Sequence, residues 1–249
     1  MIALTLLSHD WERRTRMMLL KERLAKLDTS VVSDVLDESG LLNQTLCTSF
    51  RPLDARLKLC GVALCARGRE VVRLRQPAPA SVSAYEIERE MSAGQVLVLD
   101  AGSEKVGAPV GGFVAATLKA KGCAGLLING AIRDALEINE FELPTFFRFH
   151  TPVNASRRWE LIDLDVPVFL PGISDVPVTI QPGDLILGDA DGIVVVPLRF
   201  AEDVIEASER LQEIERAIRE EIKAGATREE AFSRNPRFNH IKRLLPSGG

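Results

Sequence analysis

Long apolar runs are missing from this chain. None approaches the ~20 residues that a membrane-spanning helix requires. The first residues do not read as a secretory signal either. A short apolar piece, Ile2 to Leu7, precedes Asp10, Trp11, Glu12, Arg13 and Arg14, whereas a signal puts positive charge before a longer apolar core. The expectation is a cytoplasmic protein with no membrane partner. Aromatics are scarce too, with 2 Trp, 1 Tyr and 10 Phe, so Val, Leu, Ile and Ala must fill the core. The net charge is −4, and no basic stripe with interleaved aromatics appears, which argues against a nucleic-acid partner.

Metal-binding residue types of the softer kind are also few. The 4 Cys (Cys47, Cys60, Cys65, Cys123) form no CxxC pair, and the 3 His (His9, His150, His240) lie far apart with no HExxH. That excludes the usual zinc patterns. Cys60 and Cys65 sit in an apolar run at an odd separation, so they stand on opposite faces of a regular strand. The thiols read as buried and free, in a reducing compartment.

What is present is a pattern of alternating strands and helices. The 249 residues suffice for one large domain with extensions. Periodicity predicts helices over Thr15 to Leu27 and Val31 to Ser39, the second capped by Asp28-Thr29-Ser30 and stopped at Gly40. Strands are predicted over Arg56 to Ala66 and Glu70 to Leu74, a break at Pro77 to Ala80, and a short helix over Ser83 to Met91. Then come a buried strand Val96 to Asp100, a helix Phe113 to Lys121, a buried strand Gly125 to Asn129, a helix Arg133 to Phe141 and a strand Thr145 to Phe147. This order implies an α/β fold with parallel strands joined by crossovers. Four closely spaced strand candidates follow, at Val166 to Leu170, Val176 to Ile180, Asp184 to Leu187 and Gly192 to Val196, and after them a long helix, Phe200 to Ala224.

Two places could carry chemistry. Gly111-Gly112 stands directly before the helix that begins with Phe113-Val114, where unpaired amides and the helix dipole suit a carboxylate or phosphate. Arg133-Asp134 follows the next buried strand, so both loops open at the carboxyl edge of the parallel sheet, where ligands gather. Arg presents a fork matched to a carboxylate, and Asp supplies a hard oxygen for Mg²⁺ or Mn²⁺. Each pattern alone has a plain structural explanation: a tight turn, a helix cap, a surface ion pair. Gly183-Asp184, Gly188-Asp189 and Asp191-Gly192 read as turn residues. Asp34 and Asp37 read as helix-dipole partners, and His150 as a structural residue near the same edge.

The combination is more specific. Gly112 and Arg133-Asp134, with 20 residues between Gly and Arg, lie in a segment running from Gly111 through Lys121-Gly122 and Gly125-Leu126-Leu127-Ile128-Asn129-Gly130 to Asp134. That segment resembles the RraA-like family, which includes class II 4-hydroxy-4-methyl-2-oxoglutarate/4-carboxy-4-hydroxy-2-oxoadipate aldolases, oxaloacetate decarboxylases and regulators of ribonuclease activity. Thr29 to Leu36, Leu143 to Phe147 and the block Pro182-Gly183-Asp184 to Pro197 are similar to further family segments in the same order.

The resemblance implies a swivelling β/β/α domain over residues 28–225, with a helical extension at 1–27 and a tail at 226–249. It implies a divalent metal, Mg²⁺ or Mn²⁺, with Asp134 as its protein ligand. Arg133 would bind the oxygens of a small 2-oxo acid, and the Gly111, Gly112, Phe113 and Val114 backbone would hold the substrate carboxylate. A homotrimer or dimer of trimers is the implied assembly. The implied activity is metal-dependent carbon–carbon lysis giving pyruvate; the alternative is a non-catalytic protein that binds a ribonuclease. The aldolases carry Asp or Glu where Gly112 stands. Retro-aldol cleavage then needs another carboxylate, with Asp100, Glu104, Glu38 and Glu137 as alternatives that the sequence does not rank. Decarboxylation of a 2-oxo diacid has no such requirement.

Overall fold

The structure, a computed structural model, describes residues 15–71, 83–105 and 107–245, with the Glu104 side chain left out. The expected apolar start and the break at Pro77 to Ala80 lie outside the described residues, as does the end of the second predicted strand.

Residues 15–24 are helical (α1), and α2 (Thr29–Glu38) follows. The sheet begins with β1 (Arg51–Pro52) and the 12-residue β2 (Leu59–Glu70). After α3 (Tyr85–Glu90) comes the unit read from the sequence: β3 (Gln95–Glu104), α4 (Gly112–Ala120), β4 (Gly125–Ile132), α5 (Ala135–Glu140) and β5 (Thr145–His150). Then come β6 (Trp159–Leu164), β7 (Val168–Leu170), β8 (Val178–Ile180), β9 (Leu185–Asp189) and β10 (Gly192–Val196). The chain ends with α6 (Ala201–Lys223) and α7 (Arg228–Arg234).

The strands β2, β3, β4 and β5 pair in parallel, as the alternation of elements requires. The large sheet runs β1-β5-β4-β3-β2-β9-β10, with β6 on the far half of β2. The first predicted strand, at 56–66, is therefore one long strand that continues past Ala66 to Glu70, the first residue of the second predicted strand, whose residues 72–74 lie outside the described residues. It can do so because β2 changes neighbours along its length: β9 pairs with Leu59 to Val62, and β6 with Ala66 to Glu70. A bulge between Arg67 and Gly68 marks the β6 half. Gly68 is required there, since a Cβ would meet the Trp159 ring at 2.0 Å.

The central strands are apolar throughout because both faces are covered. Leu97, Leu99, Leu126 and Ile128 face one cluster with residues of α3, α4 and α5, while Val96, Val98 and Leu127 face the β7–β8 hairpin. Burial on both sides, at roughly 25 cal/mol per Å² of apolar surface, fixes the rim from which the βα loops project. Cys60 and Cys65 fall into different clusters on opposite faces of β2, as their spacing predicts. Burial pushes the Cys60 thiol up to about 11 and Cys65 to about 12, and all four cysteines are free.

A third cluster joins α1, α2 and α6 to β9 and β10. Leu20 and Leu24 lie in it, and Phe238, Ile241, Leu244 and Leu245 of the tail pack against it. Asp28 makes no capping hydrogen bond with its side chain. The cap of α2 comes from afar: Asp189 accepts from the Thr29 amide at 2.8 Å and from its hydroxyl at 2.6 Å. Asp184 likewise accepts from the Gln181 and Leu198 amides. The acidic turns between the late strands are thus structural. The dipole reading of Asp34 and Asp37 is not upheld, because no acid stands in the first turn of α2. Asp34 instead pairs with Arg237 of the tail at 2.5 Å.

Candidate active site

The loop after β3 returns beside the end of β4. Val110 forms a parallel bridge with Ile132, and the Arg133 amide donates to Val110 O at 3.1 Å. This lays the Gly111-Gly112 turn against Arg133-Asp134, with 20 residues between Gly112 and Arg133. Asp134 is the N-cap residue of α5, in the left-handed region at φ 56°. Asp and Asn tolerate that conformation better than most residues. It aims the carboxylate back at α4 rather than over its own helix. Asp134 Oδ2 accepts from the Gly112 amide at 3.1 Å, and Arg133 Nε lies 3.5 Å from the same oxygen. The two side chains are part-exposed, at 28% for Arg133 and 39% for Asp134.

The start of α4 supplies the donors expected of it. Its first intrahelical bond is from the Ala115 amide to Gly111 O at 3.0 Å, so the Phe113 and Val114 amides precede the helical ladder. At both glycines neighbouring side chains come close. A Cβ on Gly111 would meet Asp134 Oδ2 at 2.8 Å and Arg133 Nε at 2.9 Å; one on Gly112 would meet Glu137 Oε2 at 2.0 Å. The Glu137 carboxylate therefore stands in the space that a side chain at 112 would fill.

This ranks the alternatives left open by the sequence. Asp100 lies between Leu99 and Ala101, which face the α4–α5 side, and it takes the Asn129 amide at 2.8 Å on the other face of β3. Glu38 ends α2, in the region of the third cluster. The Glu104 side chain lies outside the described residues. Glu137 is the carboxylate at the turn. His150 stacks on Phe147, with ring centroids 4.4 Å apart, and is exposed.

Among the described residues no group of three or more His, Cys, Asp or Glu forms a metal cluster. Asp134, whose Oδ1 accepts no hydrogen bond among the described residues, offers one hard oxygen, and the Glu137 carboxylate lies beside Gly112 at the same turn. Such a donor set fits Mg²⁺ or Mn²⁺, which keep several waters and need one or two carboxylates.

Gly111 and Arg133 also line a cleft of about 360 Å³. Its far wall comes from residues 154–161, held against the glycine loop by the Ala108 amide donating to Val153 O at 2.9 Å. The sequence reading placed no strand there and no wall of the site. The alternation in Trp159-Glu160-Leu161-Ile162-Asp163-Leu164 was the available signal, and β6 answers to it.

A family model described as RraA-like, aldolase/RraA, matches residues 29–195. A protein of Halalkalibacterium halodurans provisionally named 4-hydroxy-4-methyl-2-oxoglutarate aldolase is 33% identical over 187 residues, covering 75% of this chain and 80% of the relative. The 4-hydroxy-4-methyl-2-oxoglutarate aldolase of Thermus thermophilus is 31% identical over 112 residues, 45% of this chain and 65% of the relative. Among solved structures, an uncharacterised protein of Pseudomonas syringae superposes with a TM-score of 0.75 at 26% identity, covering 87% of this chain and 94% of the other. Streptomyces coelicolor RraAS2, described as an unusual member of the RNase ES inhibitor RraA family, gives 0.66 at 28% identity, over 79% and 96%. The turn that joins Gly112, Arg133, Asp134 and Glu137 lies wholly inside the matched segment, and on that match and that fold the chain belongs to the RraA-like family.

Proposed function

We propose that this protein is a divalent-metal-dependent carbon–carbon lyase acting on a small 2-oxo acid and releasing pyruvate. One observation carries the reading: the Asp134 carboxylate is fixed on the Gly112 amide beside Arg133, with Glu137 over the same turn. A cation bound at Asp134 supplies Lewis acidity toward the 2-oxo group. The amides of Phe113 and Val114 receive the substrate carboxylate, since they carry positive partial charge and lack helical partners. Arg133 donates to the 2-oxo oxygen and stabilises the negative charge that grows there as the bond breaks. For aldol cleavage a proton must leave the alcohol, and Glu137 is the group placed to accept it. For decarboxylation no such acceptor is needed.

Assembly as a homotrimer or dimer of trimers belongs to the same reading. Phe113 and Leu136, each 83% exposed at the rim of the site, are apolar surface that a neighbouring subunit would cover. Among the described residues no helix is long and apolar enough to cross a membrane.

The test is pyruvate release from oxaloacetate and from 4-hydroxy-2-oxo acids with Mg²⁺ or Mn²⁺. Loss of the activity with EDTA and in Asp134→Asn supports the proposal. Activity indifferent to both, or capture of a ribonuclease with no pyruvate from any 2-oxo acid, rejects it.

A further inference from the structure

β3 and β4 run in step as far as Asp100, opposite Asn129, and resume pairing at Glu104, opposite Gly130. Ala101, Gly102 and Ser103 therefore have no counterpart on β4. Had the strands stayed in step, Glu104 would have met Arg133. A second irregularity lies on the other side of β4. Ile128 pairs with Phe147 and Ala131 with Phe149, so Asn129 and Gly130 together oppose Arg148. The two bulges meet at Asn129. Bulges beside functional sites redirect the chain that follows them.

A chain of hydrogen bonds holds this crossing. Asn129, 4% exposed, donates from Nδ2 to Asp100 Oδ1 at 2.8 Å. The Gly102 amide donates to the same oxygen at 3.1 Å. Arg148 Nη1 donates to Ser103 Oγ at 2.8 Å and to Asn129 Oδ1 at 3.2 Å. Ser103 Oγ in turn donates to Asn129 Oδ1 at 3.3 Å. The Arg148 guanidinium lies 5.9 Å from the Phe50 ring centroid and 5.2 Å from that of Phe149. Phe50 belongs to the cluster of the β7–β8 hairpin, on the sheet face opposite α4 and α5. Two details of this staple cost the fold stability. Ser103 sits in the left-handed region at φ 59°, and Arg148 Nε is buried with no partner among the described residues. Such departures gather where geometry is put to use.

The candidate site follows directly. Beyond Glu104 the chain reaches Val110, which bridges to Ile132 and accepts from the Arg133 amide. The next residues on the two chains are Gly111-Gly112 and Arg133-Asp134. Which residue of one meets which of the other depends on the three residues that the staple holds out of register.

We propose that Asn129 and Arg148 are positioning residues: from the opposite face of the sheet they hold the β3 bulge and thereby set the Gly112 amide against the Asp134 carboxylate. Both act through the backbone, with Asp100 as their anchor on β3. The catalytic sense of this assignment rests on the lyase reading above, whereas the tether does not.

The test compares full-length Arg148→Met, Asn129→Ala and the milder Ser103→Ala with Arg148→Lys, which restores a cationic donor. Amide hydrogen exchange is read by mass spectrometry over residues 108–115, with α6 as internal reference. On the same proteins kcat and KM are measured for pyruvate release from oxaloacetate with Mg²⁺. Arg148→Met is expected to speed exchange over 108–115 by roughly tenfold, the worth of one charged hydrogen bond, while α6 keeps its rate. Its kcat should fall by about tenfold to a hundredfold with KM within about threefold, since misplacement by about an ångström acts on the chemical step. Asn129→Ala, which also cuts the link to Asp100, should act at least as strongly. Ser103→Ala should move both readings the same way but less far, and Arg148→Lys should recover most of the loss. Unchanged exchange over 108–115 in Arg148→Met and Ser103→Ala overturns the tether. Exchange that rises equally in α6, with a kcat loss matching the unfolded fraction, marks a merely structural role and overturns the assignment as well. If Arg148→Met and Asn129→Ala do not fold, Ser103→Ala decides. No pyruvate from the wild type overturns the lyase reading, and the exchange rates then decide the tether by themselves.

Discussion

Replacing Gly112 by Ala tests the role of Glu137 without touching Glu137. The added Cβ would lie 2.0 Å from Glu137 Oε2 and 2.4 Å from its Cδ, so the nearer oxygen must retreat to about 3.4 Å for ordinary contact. Glu137 is exposed and flexible, and the carboxylate can move away at little cost. The backbone at 112 opens a helix and is not in the left-handed region, so the exchange is neutral or stabilising by up to about 1 kcal/mol. Activity should respond differently. A displacement of more than an ångström in a proton acceptor costs on the order of 10²-fold. Aldol cleavage is therefore expected to fall by about that factor, while oxaloacetate decarboxylation, which needs no alcohol deprotonation, stays near wild type. Gly112→Asp places a carboxylate on residue 112 itself and should recover much of the lost cleavage. The assay is the ratio of pyruvate release from a 4-hydroxy-2-oxo acid to that from oxaloacetate, with the melting temperature as a control for folding. Equal losses in both reactions, or unchanged aldol cleavage in Gly112→Ala, would refute the assignment of Glu137.

Asp134→Asn keeps an oxygen acceptor for the Gly112 amide and a residue type that tolerates φ 56°; on the proposed reading lyase activity should drop by at least about 10²-fold while the melting temperature holds, because the proposed metal ligand would be lost and the bond to Gly112 would not. Asp189→Ala removes the acceptor of Thr29 and of the Asp191 amide, and should cost about 1–3 kcal/mol in urea unfolding; a midpoint equal to wild type would contradict it. The Glu209 carboxyl is held below its ordinary 4.5 by hydrogen bonds from Arg23. Its contribution, about 0.5 kcal/mol for so exposed a pair, is fully present above pH 4.5 and is lost as pH falls through the lowered folded value. The stability gap between wild type and Glu209→Gln should therefore close in acid. Alkylation of the native protein near pH 8, read by mass spectrometry, should spare Cys60 and Cys65, whose thiols are pushed up to about 11 and 12.

The β3–α4–β4–α5–β5 unit could be read directly, because each buried strand is a short apolar run bounded by glycine or a helix start. The same alternation put both βα loops at one edge, and so brought Gly112 near Arg133-Asp134 before any coordinates. The sequence missed where a local pattern was overruled by distant contacts. The first predicted strand stopped at Ala66, whereas β2 runs on to Glu70, and Gly68 within that extension admits the Trp159 ring of β6. The cap of α2 looked local, in Asp28, but comes from Asp189, because the start of α2 packs against the β9–β10 turn.

The sequence alone determined the fold class, the family resemblance and the three residue types at the turn, since hydrophobic period and loop position are local properties of the chain. Which carboxylate faces Gly112, and which segment walls the cleft beside Arg133, were decided by the tertiary structure. Both depend on side chains meeting across a turn and across a cleft, where α5 brings Glu137 back to α4 and residues 154–161 are pinned to the glycine loop. Those distances are set by how the helices and the last strands pack on the sheet, and no spacing along the chain encodes them.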